Sequence, residues 1–220
     1  MATIINRYRP VVQPRLPAAP MEYSAQYQEQ FMNILRLYFN QLDNLTGVVL
    51  GESGGRYIRF PYGAFSSDQS QTTTANTATL MTLNTTDFSN DVSISSSKIA
   101  VVNAGIYNLQ FSVQLQNLSN APQDTFIWLR QGNDGGSSAD IVGSAGKIGL
   151  PARKNPGDPF HSIIGWNYFL SMNANDYVQI YWSTASADVS IQYYAASGSP
   201  TKPSTQSVVA TLSFVSALST

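Results

Sequence analysis

Two rhythms of apolar side chains divide the sequence. In AQYQEQFMNILRLYFNQLDNL (25–45) they recur at Phe31, Leu35, Tyr38, Leu42 and Leu45, in steps of 4, 3, 4 and 3. That spacing predicts an amphipathic helix bearing the seam of a short coiled coil. Tyr27, Ile34 and Leu37 widen the stripe, while Gln26, Gln28, Gln30, Asn33, Asn40 and Gln41 fill much of the rest. Gly47 is the expected stop. A helix of about twenty residues spans roughly 30 Å and is marginal alone in water. It needs a partner, either its own β domain or further copies of itself. TGVVLGESGG (46–55) reads as a flexible spacer, which loosens the tie to its own domain.

From Arg56 onward the period becomes two. In GIYNLQFSVQLQN (105–117), Tyr107, Leu109, Phe111, Val113 and Leu115 point one way, and Asn108, Gln110, Ser112, Gln114 and Gln116 the other. That is a strand with one face in a core. RYIRF (56–60), TATLMTL (77–83), SKIAVV (97–102), DTFIWLRQ (124–131), SIIGWNYFLSM (162–172), DYVQIYWST (176–184), DVSIQYYAA (188–196) and QSVVATLSFVSA (206–217) read similarly. Gly, Asn, Asp, Ser and Pro turns separate them. Eight to ten strands predict an antiparallel sandwich or jelly roll. YVQIYW and IQYYAA look like neighbouring strands with aromatic residues on both faces, Tyr181 and Tyr193 opposite Trp182 and Tyr194. The outward tyrosines are natural candidates for burial between subunits.

Residues 1–20, MATIINRYRPVVQPRLPAAP, carry Pro10, Pro14, Pro17 and Pro20, which forbid a helix and favour extended backbone. Arg7, Arg9 and Arg15 meet no acidic residue before Glu22. The expected organisation is an arginine–proline arm (1–20), a helix (21–46), a glycine-rich linker (47–55) and a β domain (56–220).

Composition narrows the partners. Only 11% of the 220 residues are charged and the formal net charge is −1, so no global field draws nucleic acid or an anionic membrane. Hydrophobic residues make up 43%, enough for a core, and cysteine is absent, which excludes disulfides and thiolate chemistry. No stretch suits membrane insertion. The N-terminus lacks the layout of a signal peptide, so the chain is expected to be made in a cytoplasm and used as translated.

Catalytic signals are weak. GESGG (51–55) matches G-x-S-x-G with Ser53 as nucleophile, but a nucleophile elbow needs a strand before it and a helix after it. His161 is the single histidine, so a zinc site within one chain would rest on carboxylates. GNDGG (132–136) and NDYVQ (175–179) read as turns rather than calcium loops. SAGKIG (144–149) lacks the first glycine and the hydroxyl residue of a P-loop. Asn44, Asn84 and Asn117 open N-x-[ST] triplets that carry no meaning without secretion. No catalytic residue, metal or cofactor is expected.

GIYNLQF (105–111), NANDYVQIYW (173–182) and VVATLSFV (208–215) resemble, in order and spacing, three strands of the C1q/TNF-like jelly roll found in many bacteriophage virion proteins. Leu109 replaces an aromatic residue of that pattern, and Asn175 a glycine. The N-terminal NRYRPVVQPRLPAAP resembles leaders of phage proteins. The resemblance implies a non-enzymatic homotrimer in the virion, with each jelly roll packed around a three-fold axis. It supplies the helix with two further copies of itself along Phe31, Leu35, Tyr38, Leu42 and Leu45, and it places Tyr181 and Tyr193 at the trimer interface. Arg7, Arg9 and Arg15 would then anchor the arm to capsid or tail proteins, with capsid decoration or a head fibre favoured. The alternative is a short tail fibre or receptor-binding head that recognises a host surface glycan. Two readings from other classes are an esterase-like or carbohydrate-active enzyme and a cellular C1q-like recognition module.

Overall fold

A computed structural model describes residues 11–50 and 59–218. They form two compact units, one ending at Arg59 and the other beginning at Phe60.

The first unit is an extended segment followed by α1 (Ala25–Leu50). Ser24 caps the helix: Tyr27 N–H donates to its hydroxyl at 3.3 Å and Gln28 N–H to its carbonyl at 3.1 Å. The helix does not stop at Gly47 but continues to Leu50. A glycine inside a helix costs only about 1 kcal/mol, and no proline follows to break the ladder. The Thr46 hydroxyl closes on the Leu42 carbonyl at 2.8 Å.

The second unit is mostly β and is consistent with a jelly-roll sandwich. Its strands are β1 (Tyr62–Ser67), β2 (Gln71–Thr72), β3 (Thr79–Leu80), β4 (Thr85–Asn90), β5 (Val92–Ser95), β6 (Lys98–Val101), β7 (Gly105–Asn117), β8 (Gln123–Asn133), β9 (Ser138–Asp140), β10 (Gly146–Leu150), β11 (Phe160–Met172), β12 (Asp176–Thr184), β13 (Val189–Ile191), β14 (Ser197–Gly198), β15 (Thr201–Lys202) and β16 (Val208–Ser216). One sheet runs β4-β1-β16-β7-β11, and β13, carrying β2, continues the β16 side of β7. The other runs β5-β6-β12-β8-β10, with β3 on β12 and β9 on β8. β14 and β15 form a separate hairpin. Every strand pair is antiparallel.

The period-two pattern explains the core. Tyr107, Leu109, Val113 and Leu115 of β7 meet Ile127 and Leu129 of β8 and Val178, Ile180 and Trp182 of β12, all buried. Among the described residues the first strand begins at Tyr62. Arg59 and Phe60 belong to no strand, and the preceding positions lie outside the described residues. Pro61 has no N–H to give a ladder, and its carbonyl accepts from Phe214 N–H at 2.9 Å.

Candidate functional site

Three surfaces hold side chains that the fold itself does not use up. The first is α1. Tyr27, Phe31, Ile34, Leu35, Tyr38, Leu42 and Leu45 form the expected stripe, and each is half-buried, none fully. Beside it Met32, Leu37 and Phe39 are exposed. The segment before the helix covers one flank: Val11, Pro14 and Pro17 are half-buried, a repeat of three that suits polyproline backbone. Arg15, Leu16 and Pro17 line a hollow with Gln30, Asn33 and Ile34. The opposite flank holds an apolar groove of about 390 Å³ between Met32, Leu35 and Phe39. Arg15 is exposed beside the helix, whereas Arg7, Arg9 and Ser53 lie outside the described residues.

The second surface is the outer face of β16, β7 and β11. The register sets Ser112 beside Gly165 and Val209, and Gln110 beside Asn167 and Thr211. These strands put no Asp, Glu, Lys or Arg on that face. His161 is its single charge-bearing candidate. Ile163 is 67% exposed and Phe169 60%. Because Gly165 has no side chain, the centre sinks into a shallow hollow of about 530 Å³ lined by Gln110, Ser112, Asn167, Val209 and Thr211. β11 pairs with β7 along all thirteen residues, and no strand pairs with its other edge among the described residues.

The opposite sheet differs. Its strands and the loops between them carry the ion pairs Lys98–Asp134 (2.8 Å), Arg130–Asp140 (2.7 Å) and Lys147–Asp124 (2.8 Å). Tyr181 stacks on Trp128 with ring centroids 5.9 Å apart, and the Arg130 guanidinium lies 4.2 Å from its ring centre. The Arg130 hydrogen bond holds the Asp140 carboxyl below the usual carboxylate range, against the opposing effect of burial. Trp182 is buried and Tyr181 faces outward.

Tyr193 is elsewhere. It follows β13, which belongs to the sheet of β7 and β16, so YVQIYW and IQYYAA are not neighbouring strands. No single sheet face carries both Tyr181 and Tyr193. The residues 185–188 carry the chain from one sheet to the other, and period-two reading does not register such a crossing. Nor does Tyr194 enter the core. It is half-buried, with its hydroxyl 3.0 Å from His161 Nδ1.

That contact forms the third surface, a hollow of about 220 Å³ lined by Gln114, Leu115, His161, Tyr194, Lys202 and Thr205. Burial pushes the Tyr194 phenol up. Lys202 Nζ donates to the Ala195 carbonyl at 2.9 Å. Sequence reading singled out His161 but not this grouping, whose members are up to 91 positions apart (Gln114 to Thr205).

The other motifs resolve into structure. SAGKIG supplies the start of β10, and GNDGG turns from β8 into β9, with Gly135 at φ 92°. In NDYVQ, Asp176 is buried under four hydrogen bonds from Asn173, Asn133 and Gln131. Asn117 is fully buried and bonded to Pro151 O at 2.8 Å, so its triplet is closed to modification. Among the described residues, no three His, Asp or Glu side chains gather as metal ligands, and no helix is long and apolar enough to cross a membrane. No family model matches the chain, and no curated protein is similar to it.

Proposed function

We propose that the chain is a non-enzymatic structural protein of a phage virion. It acts as a homotrimer whose arm and helix attach to capsid or tail and whose β unit is a displayed C1q/TNF-like jelly roll. The observation that carries this reading is the charge-free outer face of β16, β7 and β11, with Ile163 and Phe169 exposed on it. Depletion of charge at the centre of a patch marks interface cores, and an unprotected edge strand of this length is a hazard for a lone subunit. Among the described residues the ion pairs all belong to the other sheet, which suits an outward face. The strand orders β4-β1-β16-β7-β11 and β5-β6-β12-β8-β10 stack five antiparallel strands on five, which suits a two-sheet jelly roll with short additions. The three segments that carry the family resemblance are β7, β12 and β16, at the centres of the two sheets.

In this reading the subunits share the outer face of β16, β7 and β11 rather than Tyr181, whose ring is already held between Trp128 and Arg130. The half-buried helix stripe then closes against its copies, helped by the high effective concentration a trimeric head gives tethered helices. Mass measurement in solution, on the full chain and on a version starting at Gly55, tests the assembly. A trimer is expected for both, with particle binding lost in the shorter one. A monomeric full chain overturns the reading.

The second reading, a receptor-binding head for a host surface glycan, is favoured by the concave, aromatic-walled hollow at His161 and Tyr194.

A further inference from the structure

Three separate segments build the hollow at the end of the β7–β11 sheet. β7 gives Gln114, β11 gives His161, and the excursion between β13 and β16 gives Tyr194, Lys202 and Thr205. Its volume of about 220 Å³ holds one sugar ring. The charge within it is one-sided. Lys202 is half-buried, its Nζ is bonded to a neutral carbonyl, and among the described residues it forms no ion pair. No Asp or Glu lines the hollow. An ammonium at the mouth of a hollow that holds no carboxylate, 5.9 Å from the Tyr194 ring centre, favours an anion in that place.

The polar groups are also held in position. The Ala195 carbonyl ties down Lys202 and leaves its remaining N–H donors free. The contact between Tyr194 Oη and His161 Nδ1 orients both rings, and among the described residues His161 Nε2 has no hydrogen-bond partner. Gln114 and Thr205 add an amide and a hydroxyl. A bare inorganic anion would use the lysine and leave this neutral wall idle. A ring bearing both hydroxyls and a carboxylate uses all of it.

We propose that this hollow binds one carboxylate-bearing monosaccharide unit, of the uronic-acid or sialic-acid class. The carboxylate lies at Lys202, and the ring hydroxyls meet Gln114, Thr205 and the imidazole. This deepens the glycan-binding reading; the hollow sits at the His161 end of the face that the trimer reading buries, so mass and sugar binding are read on one sample.

The test is ligand-observed saturation-transfer NMR on the full chain with glucuronate, N-acetylneuraminate, glucose and acetate, with the mass of the same sample recorded. At least one acidic sugar is expected to bind saturably, and glucose and acetate about tenfold or more weaker. Lys202→Gln is expected to weaken the acidic sugar about tenfold, the scale of one charge-assisted hydrogen bond, with an unchanged melting temperature. Lys202→Arg should retain binding, and His161→Gln should weaken it independently. The proposal is overturned if neither acidic sugar binds, if acetate or glucose binds as tightly, or if Lys202→Gln binds like the parent. A monomeric mass with intact sugar binding removes the trimer alone; a trimer without sugar binding removes the hollow alone.

Discussion

Asp176 shows how one residue ties the β unit to pH. It opens β12, is 6% exposed, and accepts from Asn173 N–H at 2.8 Å, Asn133 Nδ2 at 3.0 Å and Gln131 Nε2 at 3.2 Å. Burial alone would raise its pKa, but these bonds to the charged form outweigh burial and lower it. A carboxyl whose folded pKa lies below its unfolded value stabilises fully above the unfolded value and loses that contribution as pH falls through the folded one. Stability measured by denaturant titration should therefore be level from pH 7 to about 5 and decline below about 4. Asp176→Asn should lose about 1–3 kcal/mol at pH 7, because an amide turns one acceptor into a donor facing donors. It should also flatten the acid limb. A variant that keeps the parental acid limb assigns that limb to other carboxylates.

At the scale of elements, the close approach of β10 and β11 decides whether the sandwich shuts along one side. Trp166 of β11 lies over Gly146 of β10, in the opposite sheet, so closely that an added Cβ would collide with the indole ring. Gly146→Ala should therefore destabilise by about 1–3 kcal/mol through overpacking, although alanine is the better strand residue. Gly146→Ala combined with Trp166→Phe should lose less than the sum of the two single changes, read by chemical denaturation; additive losses would mean that the indole is not the obstacle. This contact explains part of what the sequence hid. β7 was legible because Tyr107 to Leu115 alternate without interruption between a core and a polar face. β10 was not, since GKIGL offers two glycines and one exposed lysine where the indole needs room. β4, TTDFSN, is almost wholly exposed and so has no apolar rhythm. The helix stripe was legible at Phe31, Leu35, Tyr38, Leu42 and Leu45, yet its end was misplaced because Gly47 weakens a helix without terminating one. The Lys202 hollow was invisible because no local pattern records which turns a sandwich brings to one sheet end.

At the scale of the whole molecule, a second glycine separates what the chain needs to fold from what it needs to assemble. Gly165 sits on β11 at the centre of the charge-free face, and an added Cβ there meets nothing within 4 Å. Inside a single subunit a longer side chain at 165 projects over the shallow hollow between Gln110, Ser112 and Thr211. A surface change of this kind shifts folding stability by no more than about 0.5 kcal/mol. Against a neighbouring subunit the same ammonium is desolvated with no carboxylate to receive it, since the strands around it carry none. Gly165→Lys is therefore expected to melt like the parent while its mass in solution falls from trimer to monomer. Ser183→Lys, on the outer face of the ion-paired sheet, is expected to leave both unchanged. A trimeric Gly165→Lys, or a monomeric Ser183→Lys, moves the subunit contact to the other sheet.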